Sequence, residues 1–490
     1  MCYRRVLRKQ AFLFIFILFV ALWFFIKSRN FVTVDNESNM YSNSIDDSKE
    51  TDLELARLSK IEAEKEAVRN EQLAELEHQE MMRKREESLK QQTIEDDPFH
   101  PKHNIEREYT DFSNFKINFT QTNYKPEDLR EAVRKLNDEQ LIYNKEMLKK
   151  LPKDYIVMVV QVHKRVEYFK ELLDSMQRAK DIGSTLLVVS HDYYTDEMNA
   201  LIRMIKFCPV VQIFFPFSLQ LYPNEFPGPS PNDCPRDIKK PDARAKGCIN
   251  AETPDMYGHY REAPIVMIKH HWWWKINHVM DNLDQTKKHN GPFLFIEEDH
   301  YLAPSFVHAL RTLGNFKKSD ARCAGSCEIM TLGTYNNKQN FQTEGKRVMR
   351  GQWISSQHNM GMAMYRNTWN DLKKCSEKFC AYDDYNWDWT LMHLSKHCLR
   401  KQLFVLLYEV PRIFHVGDCG LHHKKKCSST KDTLNKIKGI LERNKDYLYS
   451  DRIEPYDKHA TLTLKPNGGW GDSRDHELCM RYTKGNEPLK

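Results

Sequence analysis

The sequence predicts an α/β domain built on a mostly parallel sheet, carried on a membrane anchor and a helical stem. Three observations predict it. Between about residues 126 and 480, apolar runs of strand length alternate with helical stretches, the pattern of βα units in a parallel sheet. Residues 11–26 form a 16-residue run without a charged side chain. Residues 51–95 are packed with Glu, Lys, Arg and Gln and contain no Gly or Pro.

As a helix the apolar run would be ~24 Å long at ~1.5 Å per residue. That length suits the thinner membranes of the early secretory pathway. Arg4, Arg5, Arg8 and Lys9 precede it, against Lys27 and Arg29 after it. The excess of positive charge places the N-terminal side in the cytosol. The run ends in large residues, Trp23 to Ile26, which do not suit signal-peptide cleavage. The expected layout is a cytoplasmic tail over 1–9, an anchor over 10–27 and a lumenal remainder. Residues 28–125 form the stem: polar at first, then the charged helical run, then a linker after Asp96-Asp97-Pro98. A two-stranded coiled coil, making a homodimer through the stem, is an alternative for that helix. Asn36 and Asn118 head glycosylation sequons on the lumenal side.

Eleven of the twelve cysteines lie between positions 208 and 479. An oxidising lumen favours pairing them, and an odd number leaves at least one thiol free. Cys208, inside the run FCPVVQIFF, is the expected buried thiol. The other ten allow too many pairings for the sequence to choose. Zinc at Cys323 and Cys327 is the weaker alternative. The net charge of +6 is small for 490 residues and there is no basic stripe, so nucleic-acid binding is excluded.

The catalytic region is expected over 126–490. Pro126 suits a first helical position, and Leu129, Val133, Leu136, Leu141 and Leu148 fall roughly on one side. Strands follow at 155–160, 185–189, 210–215 and 293–296, with a helix from about Glu167 and a long Pro- and Gly-rich loop over 216–260. Trp272, Trp273 and Trp274 span ~200° of a helix, so part of that cluster belongs to the core.

Chemistry concentrates at strand ends. The octet FLFIEEDH at 293–300 is a buried strand running into three carboxylates and an imidazole. Ligands of open α/β sheets bind beyond the carboxyl ends of strands. Adjacent acids there suit a hard divalent cation that neutralises phosphate; a solvated acidic turn is the bland alternative. Gln161, Val162, His163, Lys164 and Arg165 follow the first strand, and Asp192 follows the second. Both positions suit a nucleotide. Lys269, His270 and His271 precede the tryptophans. Asp388 lies between Trp387 and Trp389, where apolar neighbours raise a carboxyl pKa toward that of a general base. Asp383 and Asp384 read as caps of the same helix. His415 follows an apolar strand.

In this order, QVHxR, KHHWWWK, FLFIEEDH, LGTY (332–335), NWDW and FHVGDCG resemble the N-acetylglucosaminyltransferase II family over about residues 126–480. The resemblance implies a GT-A glycosyltransferase fold with a Rossmann-like sheet, UDP-GlcNAc as donor, an N-glycan acceptor on glycoproteins, and Mn²⁺. It implies a Golgi membrane protein of type II topology. It implies metal ligation by Asp299 and His415, a catalytic base at Asp388, and substrate contacts from Gln161 to Arg165, from Asp192, and from Met267, Ile268, Lys269, His270 and His271. It further implies the pairs Cys234–Cys248, Cys323–Cys327, Cys375–Cys398, Cys380–Cys479 and Cys419–Cys427, leaving Cys208 free. Two positions depart from the family pattern: Lys164-Arg-Val166 replaces an expected Asn-Arg-Pro, and Lys338 or Gln339 stands where an arginine is expected. The alternatives are a Golgi transferase acting on another mannose and a non-catalytic lumenal lectin or tether.

Overall fold

The computed structural model describes residues 109–112, 115, 124–335, 339–417, 430–460 and 464–485. The expected anchor, the charged stem helix, Asn36, Asn118, Cys419 and Cys427 lie outside them. Among the described residues no helix is long and apolar enough to cross a membrane.

Twelve strands are described: β1 (Ile142–Tyr143), β2 (Ile156–Val162), β3 (Thr185–His191), β4 (Val210–Phe214), β5 (Phe293–Glu297), β6 (His300–Leu302), β7 (Ile329–Thr331), β8 (Arg347–Gln352), β9 (Met362–Met364), β10 (Phe404–Tyr408), β11 (Ile413–His415) and β12 (Glu454–Lys458). Ten form one sheet in the order β1-β4-β3-β2-β5-β9-β7-β10-β8-β12, and β11 pairs with β6 in a separate ribbon. The block β4-β3-β2-β5 is parallel throughout. Beyond it the antiparallel β9 enters between β5 and β7, and β10 pairs parallel to β7 but antiparallel to β8.

The apolar runs form the parallel block because both faces of those strands are covered. Alternate residues serve opposite faces. Val157, Val159, Leu186, Val188, Phe293 and Phe295 pack with the Ala263–Asn277 helix and its tryptophans. Ile156, Met158, Val160, Leu187, Leu294 and Ile296 pack with the Val166–Gln177 and Phe306–Ser319 helices. All three tryptophans are buried, so the cluster is core entirely rather than in part.

Several boundaries move. β2 runs on to Val162 and β3 to His191, which puts Gln161 and Val162 inside a strand and not in a loop. The first helix stops at Glu139, buries Leu129 and Val133, and turns off through Gln140 at φ 44°. Leu141 is therefore 53% exposed. Phe112 is fully buried against the second core cluster, so the packed domain starts before residue 126. The 216–260 segment contains a short helix, Lys240–Lys246, and Arg261, just after it, ties it to the C-terminal helix Ser473–Thr483 by donating to the Gly228 carbonyl at 3.1 Å and pairing with Asp475 at 2.8 Å. Cys234–Cys248, Cys323–Cys327, Cys375–Cys398 and Cys380–Cys479 are bonded. Cys208 is a buried free thiol. The bonded Cys323–Cys327 pair removes the zinc alternative.

Candidate active site

The acids at the end of β5 divide by what they touch. Glu298 is buried and already engaged: its carboxylate accepts from the His163 N–H at 2.7 Å and from Arg165 Nε at 2.5 Å. Asp299 Oδ2 accepts from Arg165 Nη1 at 2.8 Å and lies 3.3 Å from His415 Nε2. Asp299 Oδ1 is buried with no hydrogen-bond partner. Ligand atoms of Glu297, Asp299 and His300 lie within 4.8 Å of one another.

The β-ribbon explains how His415 arrives. β11 runs antiparallel to β6 with His415 opposite His300, one residue from Asp299. Gly417 follows, and a Cβ there would sit 2.4 Å from Asp299 Oδ2, so only glycine allows the chain to pass so close. The expected Asp299–His415 pair is thus brought together. Glu297 and His300, already part of the acidic octet, join it; the family resemblance had named only Asp299 and His415 as ligands. His300 Nδ1 accepts from the Glu297 N–H at 3.2 Å, and burial pushes its pKa down to about 4. That ring is neutral, the form an imidazole ligand needs. Hydrogen bonding to Asp299 raises the pKa of His415 against the effect of burial; a bound cation would take the place of that proton. An orphaned carboxylate oxygen, a second carboxylate and an imidazole fit a divalent ion of the Mg²⁺ or Mn²⁺ class.

On the neighbouring strand ends, His163 Nδ1 donates to Asp192 Oδ1 at 2.6 Å, and His271 Nδ1 lies 3.7 Å from Asp192 Oδ2. Burial opposes charge on Asp192, yet His163 and His271 hold its carboxyl well below the usual range. Burial likewise opposes charge on Arg165, and Asp299 and Glu298 more than offset it. Arg165 therefore acts as a fixed cationic strap across the acids. Lys164 Nζ sits 5.4 Å from the centre of the Tyr193 ring. Gln161 Oε1 accepts from the buried Lys275 Nζ at 2.8 Å. Val162 is in the core.

Residues 267–271 differ most from expectation. Met267 is in the core and Ile268 packs against it. Lys269, His270 and His271 are fully buried. Lys269 Nζ donates to the carbonyls of Tyr382 and Asp384 at 2.9 and 3.0 Å and lies 4.3 Å from the centre of the Trp470 ring. His270 Nε2 is 3.0 Å from Asp475 Oδ1, and His271 Nε2 is 2.8 Å from Ser190 Oγ. These side chains are spent on the protein itself. The helix carries apolar residues on every side, so it lies in the core and its polar residues need internal partners.

Asp388 sits in the first turn of the Trp387–His397 helix, whose N-cap is Asn386. Asp388 Oδ1 accepts from the Trp389 N–H at 2.9 Å and Oδ2 from Asn359 Nδ2 at 3.0 Å. Burial pushes its pKa up to about 6, within the range of a general base near neutral pH. Asp383 and Asp384 do not cap the helix. Asp384 is fully buried and accepts from the N–H and side-chain amides of both Asn386 and Asn467. Asp383 accepts from the N–H groups of Met256 and Trp470 at 2.6 and 2.9 Å. Both acids clamp loops, because backbone donors from two distant segments, at Met256 and at Asn467 to Trp470, converge on them.

The Asp388 helix and the acid-bearing end of β5 are joined. Trp272 stacks on Trp387 at 4.1 Å and 4°, and its ring lies 6.2 Å from that of Phe295 on β5. β9 begins with Met362 opposite Phe295, so Asn359, just before β9, lies beyond the end of β5 where the acids are. The LGTY segment crosses between them. The N–H groups of Leu332 and Gly333 donate to the carbonyls of Gly361 and Met360, and the Leu332 carbonyl accepts from Arg412 and Ile413 at the start of β11. Sequence reasoning held Glu297 and His300 within the acidic octet without a separate role, and missed Lys275, Asn359 and Tyr335 as parts of this arrangement. LGTY pointed toward Tyr335; nothing local marked Asn359. Gln339 is exposed, and Lys338 lies outside the described residues.

Comparison with known proteins agrees with this geometry. The family model for N-acetylglucosaminyltransferase II (MGAT2) matches residues 130–479. A Sus scrofa protein named alpha-1,6-mannosyl-glycoprotein 2-beta-N-acetylglucosaminyltransferase is 46% identical over 72% of this chain and 79% of its own. The Homo sapiens protein of that name is 45% identical over the same shares, and the Arabidopsis thaliana one 35% over 69% and 77%. A crystal structure of S. aureus TarS 1-349 aligns over 61% of this chain and 70% of that one, with 13% identity and a TM-score of 0.26; a likeness that weak carries no argument. On the match across 130–479 and the identity of its relatives, the chain belongs to the N-acetylglucosaminyltransferase II family.

Proposed function

We propose that this chain transfers N-acetylglucosamine from UDP-GlcNAc to the 2-hydroxyl of the α1,6-arm mannose of N-glycans, forming a β1,2 bond. One observation carries the specific reaction: 46% identity, across most of both chains, to a protein named for it. The geometry supplies the groups it needs. Asp299 and His415 would hold the divalent cation, Mn²⁺ in this reading, which when bound neutralises the diphosphate of the leaving UDP. Arg165 holds Asp299 and Glu298 at fixed positions. Asp192 and the β2 end face the nucleotide. Asp388 accepts the proton of the attacking mannose hydroxyl. A single displacement inverts the anomeric carbon and needs one base and no protein nucleophile. Lys269 and Trp272 serve by positioning: they hold the 382–388 loop and helix on which the base rides, while His270 bonds Asp475 and Tyr482 in the Ser473–Thr483 helix. The fold is read as GT-A, and the chain as a single-pass type II protein of the Golgi membrane with its catalytic domain in the lumen. A homodimer through the stem belongs to the same reading.

The test is an incubation of the full chain with UDP-GlcNAc, Mn²⁺ and a biantennary N-glycan capped with GlcNAc on the other arm. New β1,2-linked GlcNAc on the α1,6-arm mannose is the expected product. Transfer to a different mannose overturns the acceptor assignment. Glycan binding with no transfer overturns the enzyme reading in favour of a lectin.

A further inference from the structure

We propose that Asn359 is a positioning residue for Asp388, the middle member of a hydrogen-bond chain Tyr335–Asn359–Asp388 that aims the carboxylate at the acceptor hydroxyl. The inference rests on the reading of Asp388 as the base. Tyr335 O–H donates to Asn359 Oδ1 at 3.1 Å, and Asn359 Nδ2 donates to Asp388 Oδ2 at 3.0 Å. An ionised carboxylate only accepts, so the amide has one orientation that satisfies both neighbours. The Trp389 N–H holds the other oxygen, Oδ1. With each oxygen engaged once, the carboxylate cannot rotate without losing a bond, and its remaining lone pairs point in fixed directions.

Asn359 is itself pinned from both sides. The His358 carbonyl accepts from Trp353 Nε1 and Thr331 Oγ1, both at 3.1 Å. The Met360 carbonyl accepts from the Gly333 N–H at 3.1 Å. The same LGTY backbone therefore fixes Asn359 and delivers Tyr335 to it. This gives a role to the one sequence motif that the metal and the base leave unused. Tyr335 is 55% exposed, so the outer end of the chain faces the open side of the site. A phenol titrates near 10, and the charges of Glu297, Asp388 and Asp299 nearby raise it further. It keeps its proton, and stays a donor, at any working pH.

The titratable group facing Asp388 from its own loop is Asp384, which raises its pKa further. From across the site it is Tyr335, in the shared field of Glu297 and Asp299. The Asn359 amide opposes the effect of burial by bonding the charged form. Its removal must raise the pKa of Asp388 and move the acid limb of the kcat profile to higher pH.

The experiment measures kcat against pH for the full chain, with saturating UDP-GlcNAc, Mn²⁺ and acceptor. Asn359→Ala is expected to shift the acid limb upward by about one pH unit, the worth of one hydrogen bond to a charged group. KM for UDP-GlcNAc should be unchanged. Tyr335→Phe should shift the limb in the same direction by less. Tyr335 is exposed, so that variant folds even if Asn359→Ala does not. On an Asp388→Asn background, Asn359→Ala should cost no further activity, since the two act as one unit. An unmoved limb in Tyr335→Phe and in any folded Asn359→Ala protein overturns the inference, as does a full additional loss on the Asp388→Asn background. If Asp388→Asn alone retains turnover, the base assignment falls instead, which separates the two failures.

Discussion

The acids at the end of β5 and the acids before the Trp387–His397 helix do opposite work. Glu297, Glu298 and Asp299 stay together: Arg165 straps Glu298 and Asp299, and Asp299 gathers with Glu297, His300 and His415 in a cluster that fits a divalent cation. Asp383, Asp384 and Asp388 are parted. Two are consumed as loop clamps, and one is left in a half-buried position with its pKa raised. The first group is delivered by regular structure, since a buried strand ends and the next residues emerge at its carboxyl edge. The second is sorted by donors from Met256, Asn467 and Trp470, which lie far away in sequence. A run of carboxylates is therefore not a site in itself; what each member accepts decides its use.

The largest expected effect tests the base side. Asp388→Asn keeps the side-chain volume but cannot take the proton, so turnover should fall ~10²–10⁴-fold, while calorimetry shows UDP-GlcNAc binding intact. Activity within a few-fold of wild type would make Asp388 a packing residue between two tryptophans. The same substitution carries a stability signature. Burial raises the folded-state pKa from 3.8 to about 6, so the stability linked to this group is fully present below the unfolded pKa and lost as pH rises through the folded one. Asp388→Asn should therefore raise Tm near neutral pH, with the gain shrinking toward the unfolded pKa. By the same pKa, wild-type kcat should fall about tenfold per pH unit below about 6.

Next comes the metal side. Asp299→Asn removes charge and keeps shape, and should weaken Mn²⁺-dependent UDP binding by at least ~10–100-fold with the fold retained. Unchanged affinity would remove Asp299 from the metal site and leave the contrast between the two groups without its first half.

The smallest effect on chemistry, and the sharpest on the comparison, is at the clamps. Asp384→Asn loses acceptance at one of two fully used oxygens and should cost about 1.5–3 kcal/mol of stability, read as a drop in Tm. Asp383→Asn should act in the same direction. Both should reduce kcat far less than Asp388→Asn. Collapse of turnover in Asp384→Asn without a fall in Tm would return that acid to the chemistry.

Much of the fold was legible because its causes are local. The parallel block follows from uninterrupted apolar runs, and β5 was placed to within a residue. β9 was not legible: three residues, Met362–Met364, carry too little periodicity to mark a strand. Yet β9 brings Asn359 beside the end of β5. The burial of Phe112, before residue 126, was not legible because it sits in a polar stretch and its core partners, Phe207 among them, come from distant segments. The segment 267–271 looked like a polar approach to a site. Its residues are polar groups inside a helix that is apolar all round, and the helix's depth became visible only once both its neighbours were in place.

The sequence by itself determined the α/β class, the strand that ends in acids, the candidate base Asp388 and the burial of Cys208, because each rests on residue type and short-range pattern; the pairing of Asp299 with His415 came from the family resemblance. Only the tertiary structure decided which acids remain available, that Lys269 and His270 are buried on protein partners, and that Asn359, bonded in turn by Tyr335, reaches Asp388. The reason is physical: a polar group's role is set by the partners within about 3 Å of it, and here those partners come from segments tens to hundreds of residues apart.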